Sequence, residues 1–232
     1  TDTKPKALIE VAGKPMLEHV ILKLKASGFD EIVINVHHFA NQILDFLKAN
    51  DNFGVNIYIS DETEELLDTG GGLKKAGKYF MPPLHEDKEG ILLHNVDILS
   101  NCDLQDLIRF HQQNPDVYAT MLVSRRITSR YLLFDDNNLL CGWINKNTGQ
   151  MKPAGLEYKE GKYQEYAYSG IQAINPLLLN KGMRPGKYSI IDFYLQVCRN
   201  IKIQCYPADN LQLIDIGKPE TLIKAEEFLN HL

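Results

Sequence analysis

Three places in the chain combine residue types able to handle phosphate chemistry. The first is Pro5-Lys6-Ala7-Leu8 followed by Val11-Ala12-Gly13-Lys14-Pro15, where Lys6 stands just ahead of an apolar segment and a Gly-x-Pro helix start. A lysine so placed can meet a phosphate as a point charge, although a single lysine is by default a solvated one. The second is Asp68-Thr69-Gly70-Gly71-Gly72 at the entry to a helix. Consecutive glycines let backbone amides approach a ligand and a helix N-terminus favours anions; a flexible turn is the plain alternative. The third is a pair of acids, Asp97 after the apolar run Ile91-Leu92-Leu93-His94, and Asp215 after Leu213-Ile214. Ligands of open α/β sheets bind beyond the carboxyl ends of strands, so carboxylates at two strand ends can hold a hard cation and leave positions for phosphate oxygens. Either acid alone reads as a helix cap; the pair favours a metal.

Other chemistries find no footing. The stretch from Gly72 through Gly77-Lys78 has P-loop spacing, but Tyr79 stands where Ser or Thr should ligate Mg²⁺. His37 and His38 are adjacent, and on an extended chain they point to opposite sides. There is no Gly-x-Ser-x-Gly nucleophile elbow. Cys102, Cys141, Cys198 and Cys205 form no Cys-x-x-Cys pair, which argues against a zinc site or a disulfide framework and suits a reducing, cytoplasmic compartment.

The elements that must position these residues alternate. Met16, Leu17, Val20, Ile21 and Leu24 recur at helical spacing after Pro15, with Gly28 as the stop. Glu31 to Val36 reads as a buried strand, Ala40 to Ala49 as a helix and Val55 to Ile59 as a strand. A strand over Gly90 to Val96, a helix after Asp103 and a strand over Val117 to Val123 continue the pattern. Residues 125–175 change character: Asp135-Asp136-Asn137-Asn138 is a hairpin turn by composition, which predicts an antiparallel insertion. The end returns to a helix near Ile190 to Arg199, strands near Ile201 to Tyr206 and Gln212 to Ile216, and a last helix from Pro219. Strands separated by helices of this length predict βαβ units, hence an α/β, Rossmann-like three-layer fold with a mixed, mostly parallel central sheet.

Composition bounds the answer. With 232 residues, 44% hydrophobic and 24% charged, the chain is an ordinary globular one, read as a single domain over 1–232. A formal net charge of -5 with scattered Lys and Arg excludes a general nucleic-acid binder. No stretch approaches ~18 consecutive apolar residues, so no membrane-spanning helix is expected.

Taken together, the segments resemble the nucleotidyltransferases that make nucleoside-diphosphate sugars. Lys6 with Val11-Ala12-Gly13-Lys14-Pro15 is similar to the family's lysine motif, and Leu67-Asp68-Thr69-Gly70-Gly71-Gly72 to its nucleoside loop. Asn95-Val96-Asp97 resembles its Asn-Gly-Asp, Tyr168-Ser169-Gly170-Ile171 its sugar-pocket strand, and Ile214-Asp215-Ile216-Gly217 its second metal aspartate. The triple glycine and the short length look most like N-acetylmuramate-1-phosphate uridylyltransferases, with short mannose-1-phosphate guanylyltransferases close behind.

The resemblance implies Mg²⁺ on Asp97 and Asp215, and Lys6 as the third catalytic residue. It also implies nucleotide contacts at Thr69, Gly70, Gly71 and Asn95, and sugar contacts at Ser169 and Gly170. The substrates would be a nucleoside triphosphate, UTP or GTP, and a sugar 1-phosphate; a homodimer is compatible with this. The family's Gly-rich phosphate loop and its strand would fall immediately before Thr1, so the chain is expected to lack them. Its Glu-Lys-Pro sugar motif is not evident before Tyr168. Two other readings share part of the pattern: a nucleotide-sugar glycosyltransferase, which usually carries Asp-x-Asp, and a non-catalytic nucleotide- or sugar-binding paralogue.

Overall fold

A computed structural model describes residues 3–80, 90–216 and 221–230. In chain order the first elements are β1 (Glu10–Val11), β2 (Lys14–Pro15), α1 (Met16–Ala26), β3 (Glu31–Val36), α2 (Ala40–Ala49) and β4 (Asn56–Asp61). Next come α3 (Asp68–Ala76), β5 (Ile91–His94), β6 (Ile98–Ser100), α4 (Leu104–Gln112) and β7 (Ala119–Ser124). The series continues with β8 (Arg130–Phe134), β9 (Leu140–Asn145), β10 (Met151–Lys152) and β11 (Gln164–Ile174). It closes with α5 (Ile190–Val197), β12 (Ile203–Pro207), β13 (Leu213–Asp215) and α6 (Thr221–Leu229). Gly217 of the second aspartate motif and Pro219 of the last helix lie outside the described residues.

The residues gather into two compact units. The first takes Thr1–Leu67, Asn95–Leu104 and Gln212–Leu232; the second takes Asp68–His94 and Gln105–Leu211.

In the first unit, α1 buries the stripe Met16, Leu17, Val20, Ile21 and Leu24. It ends as Gly28 predicts: at φ +84° the Gly28 N–H reaches Lys25 O at 2.9 Å and the Phe29 N–H reaches Leu24 O at 3.0 Å, a Schellman closure that needs a left-handed residue. β3 and β4 pair in parallel across α2, the one βαβ unit between neighbouring strands among the described residues. Val36, Ile43, Leu47 and Val55 join Leu8, Leu17 and Ile21 in a buried cluster beneath this pair. A second cluster, Val11, Met16, Leu99, Ile216 and Ala225, packs under the antiparallel ladder of β6 and β13.

The second unit holds a seven-stranded sheet in the order β10-β9-β8-β11-β7-β12, with β5 also paired to β11. The sheet is mixed but mostly antiparallel, which corrects the expectation of a mostly parallel one: β7–β12 is its only parallel ladder among the described strands. The cause is β11. Gln172 pairs with Leu93 of β5 on one edge and with Met121 of β7 on the other. β5 and β7 run the same way, as strands joined through a helix should, but β11 enters between them in the opposite sense. Helix spacing reports the direction of the strands it joins and is silent on what slides in between.

The hairpin at 135–138 is the β8–β9 turn. The Asp135 carboxylate accepts the N–H groups of Asn137 and Leu139 at 2.9 and 2.8 Å, and Asn138 sits at φ +62°. Every residue of β7 is buried. One polar group of this core is His111 of α4, whose Nδ1 lies 2.7 Å from Thr120 Oγ1, which also accepts from Gln204 Nε2 at 2.9 Å. Burial lowers the His111 pKa to about 4, so the ring is neutral at pH 7.

Candidate active site

Lys6, Asp97 and Asp215 all fall in the first unit. Lys6 opens a single 3-10 turn, Lys6–Leu8, anchored by Leu8 in the core while Lys6 itself is exposed. Asp97 lies in the turn between β5 and β6, closed by the Ile98 N–H on Asn95 O at 3.3 Å. Asp215 ends β13 opposite Ile98, and one step further the Ile216 N–H reaches Asp97 O at 2.9 Å. The ladder therefore fixes the backbones of the two acids side by side, with Leu99 and Ile216 buried beneath.

The electrostatics follow from that placement. Asp97 is half-buried and Asp215 exposed. Burial pushes the Asp97 carboxyl above its ordinary range, the Asp215 carboxylate pushes it further, and the Lys6 ammonium pulls it back. A carboxylate made costly to ionise by burial and by a second carboxylate, with a cation in range, is a fit for a divalent ion. Mg²⁺ is commonly held by one or two carboxylates, with waters and substrate phosphates completing its shell. Among the described residues no group of three or more His, Cys, Asp and Glu side chains forms a closed cage.

The triple glycine is part of the helix it was expected to lead into. α3 begins at Asp68, so Gly70, Gly71 and Gly72 are buried within the helix. The Gly70 and Gly71 N–H groups both donate to Tyr188 O, at 2.9 and 3.3 Å, and Thr69 Oγ1 accepts the Ile190 N–H at 3.0 Å. These amides are committed within the protein because the orphan donors of a buried helix start need partners. A methyl group at Gly70 would stand 2.5 Å from Tyr188 Cδ2 and 2.9 Å from its carbonyl oxygen, so the absent side chain makes room for Tyr188.

Ser169 and Gly170 are likewise buried. They form a bulge where the β11–β7 register shifts between Tyr168 and Gln172, with Gly170 at φ +83°. Ser169 Oγ donates to Leu122 O at 2.7 Å and accepts the Ile171 N–H at 3.3 Å, mending the broken ladder.

Beside this bulge, wholly in the second unit, is a cavity of about 370 Å³. Tyr168 and Trp143 line it together with Arg126, Arg130, Lys152 and Asp192. Lys152 Nζ lies 2.6 Å from Asp192 Oδ1 and 5.7 Å from the centre of the Trp143 ring. None of these residues except Tyr168 stood out in the sequence. The available signal was Met151-Lys152-Pro153, a Lys-Pro pair preceded by Met where Glu was sought.

Comparison with known proteins decides the family. Residues 1–134, more than half the chain, match the family model described as Nucleotidyl transferase. The chain belongs to the nucleotidyl transferase family. Among curated nucleotidyl transferases it is similar to the N-acetylmuramate alpha-1-phosphate uridylyltransferase of Caulobacter vibrioides, 44% identical over 33% of this chain and 32% of the relative. It also resembles mannose-1-phosphate guanylyltransferase 1 of Arabidopsis thaliana, 32% identical over 76% of this chain and 46% of the relative. The aligned stretches thus span less than half the length of either relative. In fold it matches HddC from Yersinia pseudotuberculosis complexed with GMP-PN, with a TM-score of 0.73 at 20% identity over 97% of this chain and 90% of that one. Family and fold agree with the resemblance read from the motifs.

Proposed function

We propose that this nucleotidyl transferase joins a sugar 1-phosphate to a nucleoside triphosphate, UTP or GTP, releasing pyrophosphate. The observation that carries the reading is the grouping of Lys6, Asp97 and Asp215 in one unit, with Asp97 made costly to ionise by burial and by Asp215.

The reaction is an in-line attack of the sugar phosphate oxygen on the α-phosphorus. A phosphate monoester has a second pKa near 6, so the nucleophile is already ionised at pH 7 and no general base is needed. This agrees with a charge centre built from Lys and Asp rather than from a Ser–His pair. The barrier is then the meeting of two anions. Asp97 and Asp215 would hold Mg²⁺, which when bound supplies the positive charge that neutralises the phosphate oxygens. Exposed Lys6 adds a second cation on a rigid turn, reaching substrate oxygens directly. Asn95, in the same turn as Asp97, serves the nucleotide; Thr69, Gly70 and Gly71 serve it by shape, their polar groups being engaged within the protein. Ser169 and Gly170 serve the sugar indirectly, by the bulge that follows Tyr168.

The test is pyrophosphate release with four nucleoside triphosphates against several sugar 1-phosphates. Asp97→Asn should cost on the order of 10²-fold or more in rate. Turnover equal to the unaltered protein would overturn the assignment.

A further inference from the structure

We propose that Cys141 and Cys198 form a dithiol pair that a small-molecule disulfide converts into an intramolecular cystine, locking β9 to the end of α5. The site is a second cavity of about 370 Å³, lined by both cysteines and lying wholly in the second unit. Lys6, Asp97 and Asp215 take no part in it.

Two features of the framework bring the thiols to this cavity. On β9, Leu140 pairs with Phe134 and Gly142 with Leu133, which leaves Cys141 as the extra residue of a bulge. Such a bulge breaks the ladder locally and re-aims the side chain it carries. On α5, Asp192, Leu195 and Cys198 follow at three-residue steps along one stripe, and the Cys198 N–H still reaches Tyr194 O at 2.8 Å. Asp192 and Leu195 line the cavity that holds Trp143, and Cys198 lines the second one. The two cavities therefore follow one seam between α5 and β9, with the thiol pair where the helix ends.

Both thiols are free and half-buried, whereas Cys205 is fully buried in the core and Cys102 belongs to the first unit. Burial raises the Cys141 pKa, Asp135 and the Cys198 sulfur raise it further, and Lys162 pulls it back. Burial raises the Cys198 pKa too, and Arg199 opposes the rise. The two sulfurs thus resist carrying charge together, a conflict that a neutral disulfide removes. Lys162 and Arg199 also line the cavity, against the single acid Glu157, and a cationic wall favours the thiolate that begins exchange. In the first step one cysteine gives up its proton and attacks a sulfur of the small disulfide. That S–S bond breaks, and one small thiol leaves with the proton. The second cysteine then attacks the protein sulfur of the mixed disulfide, forming the Cys141–Cys198 bond and expelling the other small thiol with the second proton. Two cysteines are oxidised and one small disulfide is reduced.

The experiment treats the unaltered chain with glutathione disulfide in mildly alkaline buffer and maps its peptides by mass without reduction. A linked Cys141–Cys198 peptide pair should appear, lighter by two hydrogens than the free pair and released by dithiothreitol. Alkylation of the intact chain should lose the same two cysteines. Cys141→Ser and Cys198→Ser should each form no cystine and keep a glutathione adduct on the remaining partner, whereas Cys102→Ser should link as the unaltered chain does. The bridge closes a long loop, so Tm should rise by about 4 °C or more on oxidation. An unmodified chain would overturn the proposal. So would adducts that persist on Cys141 or Cys198 of the unaltered chain without a link, or a link made to Cys102 or Cys205. A Tm left unchanged or lowered by the bridge would overturn the lock. The alkylation readout needs no variant, so a substitution that prevents folding leaves the test decisive. Pyrophosphate release enters none of these readouts, and the result therefore stands or falls apart from the nucleotidyl-transfer reading.

Discussion

Asp97 and Asp215 in the first unit, and Gly70, Gly71, Ser169 and Gly170 in the second, drew attention for the same reason: unusual residue types at the ends of predicted elements. The protein uses them in opposite ways. The two acids end a short ladder, one half-buried and one exposed, and they share a field with Lys6. The glycines and the serine are buried and spend their polar groups on the framework, on Tyr188 O and Leu122 O. In the second unit the groups available to a ligand are instead commonplace charged residues, Arg126, Arg130, Lys152 and Asp192. A carboxylate near a strand end keeps its chemistry whatever surrounds it. A glycine has only its backbone to offer, and a helix start or a bulge claims it first.

The largest expected effect sharpens this contrast. Asp97→Asn should lose on the order of 10²-fold in pyrophosphate release while gaining stability at pH 7, because the substitution removes a carboxylate that burial and Asp215 make costly to ionise. A variant that loses both activity and stability would place Asp97 in the framework with the glycines.

Next is acid stability, where the two regions should respond with opposite sign. Between the ordinary histidine value of 6.5 and about 4, the unfolded chain binds a proton that folded His111 refuses, so stability falls as pH drops through that window, by about 3 kcal/mol in total. Asp97 acts the other way: its folded carboxyl takes up a proton more readily than the unfolded one, so its contribution to stability improves as pH falls. Urea titrations at pH 7, 5.5 and 4.5 should show a net loss for the unaltered chain and a flatter profile for His111→Gln. A slope unchanged by that substitution would remove His111 as the source.

A smaller effect tests whether the triple glycine belongs to the frame. Gly70→Ala should cost about 2 kcal/mol through the clash with Tyr188, seen as a lowered Tm, and Tyr188→Leu in the same chain should recover part of it. Unaltered stability with lost nucleotide binding would return Gly70 to the ligand side. Smallest of all, Ser169→Ala should cost about 1 kcal/mol by unmaking the bond to Leu122 O, with catalysis changed far less than in Asp97→Asn.

Much of the fold was legible wherever a local rule decides it. The stripe of α1 and its Gly28 stop, the β-branched run of β3 and the 135–138 hairpin turn all stand where composition puts them. The antiparallel bias was not legible, because the placement of β11 between β5 and β7 depends on pairings some eighty residues apart in sequence, such as Gln172 with Leu93. For the candidate site, the acids could be found from type and position alone. The cavity could not: Lys152 meets Asp192 across 40 residues only because β10, β9 and α5 come together, and neither residue is unusual for a surface.

The fit between Gly70 and Tyr188 also constrains how this sequence can change over generations. A larger residue at position 70 is admissible only after position 188 has shrunk, whereas a smaller residue at 188 can arise first at the cost of a cavity. The two sites are thus inherited as a pair with a preferred order of replacement. A chimera that takes the glycine segment from one relative and the segment around Tyr188 from another breaks a match that neither parent ever had to re-establish.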